Sequence, residues 1–175
     1  MFIERKYHMD EFGKSCCFTG HRAAKLPWKY DEADPRCTAF KEKLSAVVSA
    51  VYESGITHFI SGMALGCDMY CAEAVIALRR EHPEITLEAA VPYDGQEEKW
   101  SETSRRRYRR ILTACDKVTL IQDEYSPGCM MRRNKYMVDS SSVLIACYEG
   151  LSGGTWNTIK YAAEQDKEVI HLPIE

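Results

Sequence analysis

Read for apolar and polar positions, the chain repeats one motif. A short apolar run stops at a glycine, proline or serine, and an amphipathic stretch follows. Residues 15–19 form the first such run, rich in buried-type side chains and closed by Gly20. The spacing predicts a buried strand there. A loop over 20–36 carries Pro, Trp and Asp, and a helix starts at Pro35. Phe40, Leu44, Val47, Val48 and Val51 make its apolar stripe, and Gly55 ends it.

The pattern then recurs. Strands are predicted over 57–60, 86–91, 117–121, 143–147 and 168–172. Helices are predicted over about 67–81, 98–115, 131–140 and 153–165. The strands are short, apolar and β-branched, as expected when both faces of a sheet are covered. Strand and helix alternate, so the fold class is α/β: one Rossmann-like, doubly wound domain over 15–175, with a mainly parallel sheet of about six strands and helices on both faces. Residues 1–14 are polar and mixed in charge, and read as a tail or an edge extension. No apolar core segment marks them as a signal peptide.

At 175 residues, the length suits a single domain. The net charge is −3 at neutral pH, with no overall pull toward nucleic acid. Eight cysteines occur without a C-x-x-C pair or zinc spacing, and read as reduced thiols of a cytoplasmic protein. No metal and no cofactor are expected. No apolar run is long enough to span a membrane.

In a doubly wound sheet, ligands bind where the strands end, near the point at which strand order reverses. The turns at those ends are the candidates. After the first strand come Thr19-Gly20-His21-Arg22: a glycine that admits close approach and an arginine suited to an anion. A plain turn with a solvated arginine fits these four residues equally well. After the second come Ser61, Gly62, Gly66 and Asp68, leading into a helix. Paired glycines at a helix start can surround a phosphate. Asp68 would cap the helix or accept bonds from a ribose or base. After the fifth, Gly153-Gly154-Thr155 opens another helix. The remaining candidates are Trp100, Glu102, Arg133 and Asn134. Core packing is the plainer role for Trp100, and a solvated helical position for Glu102. Five arginines over 105–110 read as a solvated helix face, with a phosphate-backbone patch as the alternative.

Together these loops resemble the SLOG superfamily, a Rossmann-like group that includes DprA and the LOG-type phosphoribohydrolases. The match is to its YpsA-type branch. It rests on Thr19-Gly20-His21-Arg22, the stretch from Gln96 to Glu102, and Arg133-Asn134. Ser61-Gly62-x-Ala64-x-Gly66-x-Asp68, Tyr125-x-Pro127-Gly128 and Ala162-Ala163-Glu164-Gln165 are similar to DprA.

The resemblance implies binding of a small nucleotide-derived ligand at the carboxyl edge of the sheet, as a sensor or regulator. A hydrolase acting on an N-glycosidic or phosphate bond is the alternative, and single-stranded nucleic-acid binding of DprA type the third. LOG enzymes carry carboxylates shortly after the glycine-threonine turn. Here Thr155 is followed by Trp156, Asn157 and Thr158. Enzyme activity therefore stays open, with Glu102 the candidate acid or base. The acidic balance argues against a nucleic-acid partner, and a homo-oligomer stays open.

Overall fold

The computed structural model describes residues 14–175. The tail expected over residues 1–13 lies outside the described residues. Strands and helices alternate: β1 (Ser15–Gly20), α1 (Pro35–Glu53), β2 (His58–Ser61), α2 (Cys67–Arg79), β3 (Thr86–Val91), α3 (Glu102–Ala114), β4 (Lys117–Leu120), α4 (Cys129–Asp139), β5 (Val143–Cys147), α5 (Gly153–Glu164) and β6 (Glu168–Leu172). A 3₁₀ turn at Ala23–Lys25 follows β1.

All six strands are parallel, in the order β4-β3-β2-β1-β5-β6. The chain builds outward from β1 to β4, then returns to place β5 on the other side of β1. Strand order reverses between β1 and β5. Gly20 lies opposite Cys147 at the carboxyl end of that pair.

Side chains alternate across β1. Cys16 and Phe18 point into the larger apolar layer beneath α1, α2 and α3. Cys17 points into the smaller layer with Met137, Val138 and Ala162 of α4 and α5. Alternate residues face opposite sides of a strand, so one run supplies both layers. All eight cysteines are free thiols, and seven are buried. Among the described residues no helix is long and apolar enough to cross a membrane.

Two helix starts differ from the sequence expectation. α3 begins at Glu102 because Ser101 caps it, accepting from the Ser104 amide at 3.2 Å. α4 begins at Cys129, directly after Gly128, whose φ of +82° is the left-handed turn a glycine allows.

A buried polar cluster interrupts the sheet at Glu88, in the middle of β3. Glu88 accepts from Tyr136 and Thr119, both at 2.6 Å, and pairs with His58 Nε2 at 3.0 Å. Lys117 Nζ stands 3.6 Å away. Burial alone would raise the Glu88 pKa. The hydrogen bonds and Lys117 outweigh it and bring it down to about 2.

Candidate functional site

The turns after β1, β2 and β5, with the start of α4, meet over the point where strand order reverses. They enclose a cavity of about 140 Å3. Its lining includes Thr19, Gly20, His21 and Arg22 from the first turn, Asp68 from the second, and Gly154 and Thr155 from the third. Arg133 and Asn134 enter from α4. Lys25, Ala64, Met130 and Ser152 also line it.

The first two turns are stitched to each other. Arg22 and Gly66 form an antiparallel bridge. Ala23 N donates to Leu65 O and Cys67 N to His21 O, each at 3.2 Å. Gly66 has φ +103°, and a Cβ there would lie 2.5 Å from the Ala23 nitrogen and 2.7 Å from the His21 oxygen. Gly66 is thus a contact between two backbones rather than open floor. Gly66→Ala should destabilise the fold by about 1–3 kcal/mol through strain and collision. Urea unfolding measures this, and an unchanged midpoint would refute the contact. Gly154 is the opposite case, since a Cβ there meets nothing within 4 Å.

Gly20 also permits a close approach. Its Cβ would lie 2.5 Å from Cys67 Cβ and 3.0 Å from Cys147 Cβ. The glycine lets the first turn of α2 settle over β1 beside β5. Ser61 lies beneath this turn, its hydroxyl donating to Asp68 O at 2.9 Å.

Arg133 is 4% exposed and charged. One Nη donates to Gly62 O, and Nε donates to Asn134 Oδ1 at 2.8 Å. Asn134 Nδ2 donates to Thr158 Oγ1 at 2.8 Å, and Thr158 donates to Gly154 O at 2.9 Å. A continuous hydrogen-bonded chain therefore joins the turn after β2 to the turn after β5. Burial pushes the Arg133 pKa down and Arg22 adds to that, while Asp68 opposes both. At Asp68 burial dominates and leaves the pKa raised above the ordinary aspartate value, with Arg133, the Ala64 amide and Arg22 opposing it only in part. The cavity lining carries Arg22, Lys25 and Arg133 against one carboxylate. α5 has no side-chain cap at Ser152, so its first amides remain available to an anion.

Not every candidate comes to this place. Trp100 packs edge-on against Tyr108, with ring centroids 5.4 Å apart, and belongs with the core. Glu102 is solvent-exposed and pairs with Arg106 one helical turn on. Ser61, Gly62, Gly66 and Gly153 support the walls without lining the cavity. Of the other two tryptophans, Trp28 is buried in the core and Trp156 is half-buried. Trp28 donates to Tyr70 OH at 3.3 Å, and Trp156 stacks on Tyr148. His21 is held at the rim by the Glu149 backbone, with Nε2 3.0 Å from its oxygen. Of the 105–110 arginines, Arg107 is tied to Glu32 and Glu73, and Arg110 to Glu73.

Sequence reasoning missed Lys25, Met130 and Thr158. Lys25 sits on the turn after β1 and Met130 in the first turn of α4, where nothing in their type marks a site. Thr158 had a signal: a polar residue four before Ala162, both fully buried on α5. Among the described residues, no group of His, Cys, Asp and Glu could hold a metal ion.

A family model described as the YspA SLOG family matches residues 16–175. The prophage-derived protein YoqJ of Bacillus subtilis is 32% identical over 142 residues, covering 74% of this chain and 83% of YoqJ. UPF0398 protein BH1768 of Halalkalibacterium halodurans is 31% identical over 138 residues, covering 78% and 72%. Among solved structures, DNA processing protein A from Helicobacter pylori, described for its single-stranded DNA binding mode, superposes with a TM-score of 0.63 at 17% identity. The match covers 93% of this chain and 66% of that one.

This likeness goes against the expectation that nucleic acid is an unlikely partner. The fold is one on which single-stranded DNA binding is described for another protein. The net charge of −3 was the wrong quantity to weigh. It sums over the whole surface, whereas a strand meets the local field of one edge.

Proposed function

The chain belongs to the YspA SLOG family, and on that premise we propose that it binds single-stranded nucleic acid along the carboxyl edge of its sheet, with one phosphate seated in the cavity. The observation that carries this reading is the cavity itself. Arg22, Lys25 and Arg133 line it, together with Ser152, Gly154 and Thr155 from the uncapped start of α5. Its 140 Å3 is well below the roughly 300–1,000 Å3 of pockets that enclose a whole small-molecule ligand. A phosphate with part of its sugar fits, and the rest of the ligand must lie outside. That suits a strand passing over the edge better than an engulfed mononucleotide.

DNA processing protein A, with the same fold, is described binding single-stranded DNA. Carried to this chain, that role needs no catalytic carboxylate, and Thr158 is occupied by its bond to Asn134.

Fluorescence anisotropy with labelled oligonucleotides tests the proposal. A single strand should bind more tightly than the duplex of the same sequence, and affinity should fall steeply with salt. Gly154→Val, which adds bulk to the open side of the cavity, should weaken binding and leave the fold intact. Tight binding of a mononucleotide, with no gain from a longer strand, would instead support a sensor of a small nucleotide-derived ligand.

A further inference from the structure

A carboxylate inside an anion pocket calls for a reason. Asp68 is 7% exposed, lines the cavity, and sits in the same lining as Arg22, Lys25 and Arg133. Its Oδ2 accepts one long bond, from the Ala64 amide at 3.2 Å. Among the described residues, no donor reaches Oδ1.

Three structural roles are insufficient. Asp68 is not the cap of α2, since Gly66 holds that position and no side-chain cap bond forms there. It adds favourable charge to the first turn, but an exposed acid would do the same without desolvation. It is not needed to hold the Arg133 guanidinium, which is already fixed by Gly62 O and Asn134 Oδ1. Toward a bare phosphate, its charge is repulsive.

We propose that Asp68 is the specificity residue of the cavity: it accepts a hydrogen bond from a donor the ligand carries beside its phosphate, either a sugar hydroxyl or a base N–H, and it rejects phosphate groups that lack one. This rests on the reading of the cavity as a phosphate seat. Arg22, Lys25, Arg133 and the α5 amides supply attraction for any anion. Asp68 subtracts from that attraction unless a donor meets Oδ1. A carboxylate that finds a donor forms a charge-assisted bond, and one left facing a phosphate oxygen does not. The pair of effects separates nucleotide units from inorganic phosphate, sulfate and simple phosphate esters. A neutral acceptor in that place would tolerate them all.

The experiment is an NMR titration of the full chain with three probes: methyl phosphate, ribose 5-phosphate and adenosine 5′-monophosphate. Methyl phosphate carries the phosphate and no donor. The wild-type protein should bind the best donor-bearing probe about tenfold or more tightly than methyl phosphate, the scale of one charge-assisted hydrogen bond. If the sugar hydroxyl is the donor, ribose 5-phosphate shares the gain. If a base N–H is the donor, only the nucleotide has it.

Asp68→Asn should invert the ranking's cause. Methyl phosphate should bind more tightly than to wild type, and the donor-bearing probes should lose most of their advantage. A merely structural role would weaken all three together. Equal affinity of wild type for the three probes overturns the proposal, whether or not the variant folds. So does an Asp68→Asn variant that keeps the wild-type ranking. Absence of saturable binding for all three overturns both this inference and the phosphate seat. Failure of oligonucleotides to bind, with the ranking intact, removes the nucleic-acid reading and leaves the role of Asp68 standing.

Discussion

Arg133→Ala is expected to weaken single-strand binding by about 1.5–3 kcal/mol, the usual cost of losing a hydrogen bond to a charged group. That is roughly tenfold to over a hundredfold in affinity. Three losses coincide at this residue. The cavity loses a buried cation. Gly62 O and Asn134 Oδ1 lose their donor. Asp68 loses the positive charge that most opposes the upward push of burial on its pKa. Arg133→Lys should recover part of the affinity through charge alone, but an ammonium cannot hold Gly62, Asn134 and a phosphate in the geometry of the planar guanidinium. Removing one phosphate contact should also reduce the slope of log affinity against log salt by about 1. Anisotropy across a salt series, with circular dichroism to check the fold, reads both. An Arg133→Ala protein that binds with unchanged affinity and slope would take Arg133 out of the site.

The second large effect concerns stability in acid. Glu88 is buried and held at a pKa of about 2, below the 4.5 of an unconstrained glutamate. A depressed carboxyl binds its proton less readily in the folded state than in the unfolded one. Its contribution is therefore complete above about pH 4.5 and disappears as pH falls toward 2. The magnitude is about 3 kcal/mol, from a depression of roughly two and a half pH units. Glu88→Gln should cost about that much near neutral pH, because it removes the charge that Lys117, Tyr136, Thr119 and His58 surround. Near pH 2 the two curves should come close together, since Glu88 is then half protonated in the folded state and most of its contribution is gone. Urea unfolding followed from pH 7 to pH 2 measures the two curves. Parallel curves would show that the cluster does not depend on the Glu88 charge.

The strands and helices were legible because each apolar run ended at a turn residue and each helix kept one apolar stripe. β3 and β5 fall on the expected residues. The order of the strands was not legible, because no local pattern says which side of β1 receives β5. The turns flanking the reversal point were legible as chemistry, since Gly20 with Arg22 two residues on, and glycines opening two helices, suit an anion.

Trp100 and Glu102 mark the limit of that reasoning. Both follow β3, so they belong to a turn at the right edge. But the turn before α3 lays the indole against Tyr108, and the first turn of α3 sends the carboxylate outward to Arg106. Sequence position places a residue at an edge, while the local backbone decides what it faces. Glu88 shows a signal that went unread. A charged residue within the apolar run of 86–91 had to be buried, and burial demanded the partners that surround it.

The hydrogen-bonded chain from Gly62 through Arg133, Asn134 and Thr158 to Gly154 ties together segments far apart in sequence. A mouth braced in this way has a fixed width. The two lips cannot part to admit a bulkier group or draw in around a smaller one, so selection is made by fit rather than by adaptation. Little ordering entropy remains to be lost when the mouth is filled. Differences between good and poor occupants should then appear in how long each stays rather than in how fast each arrives.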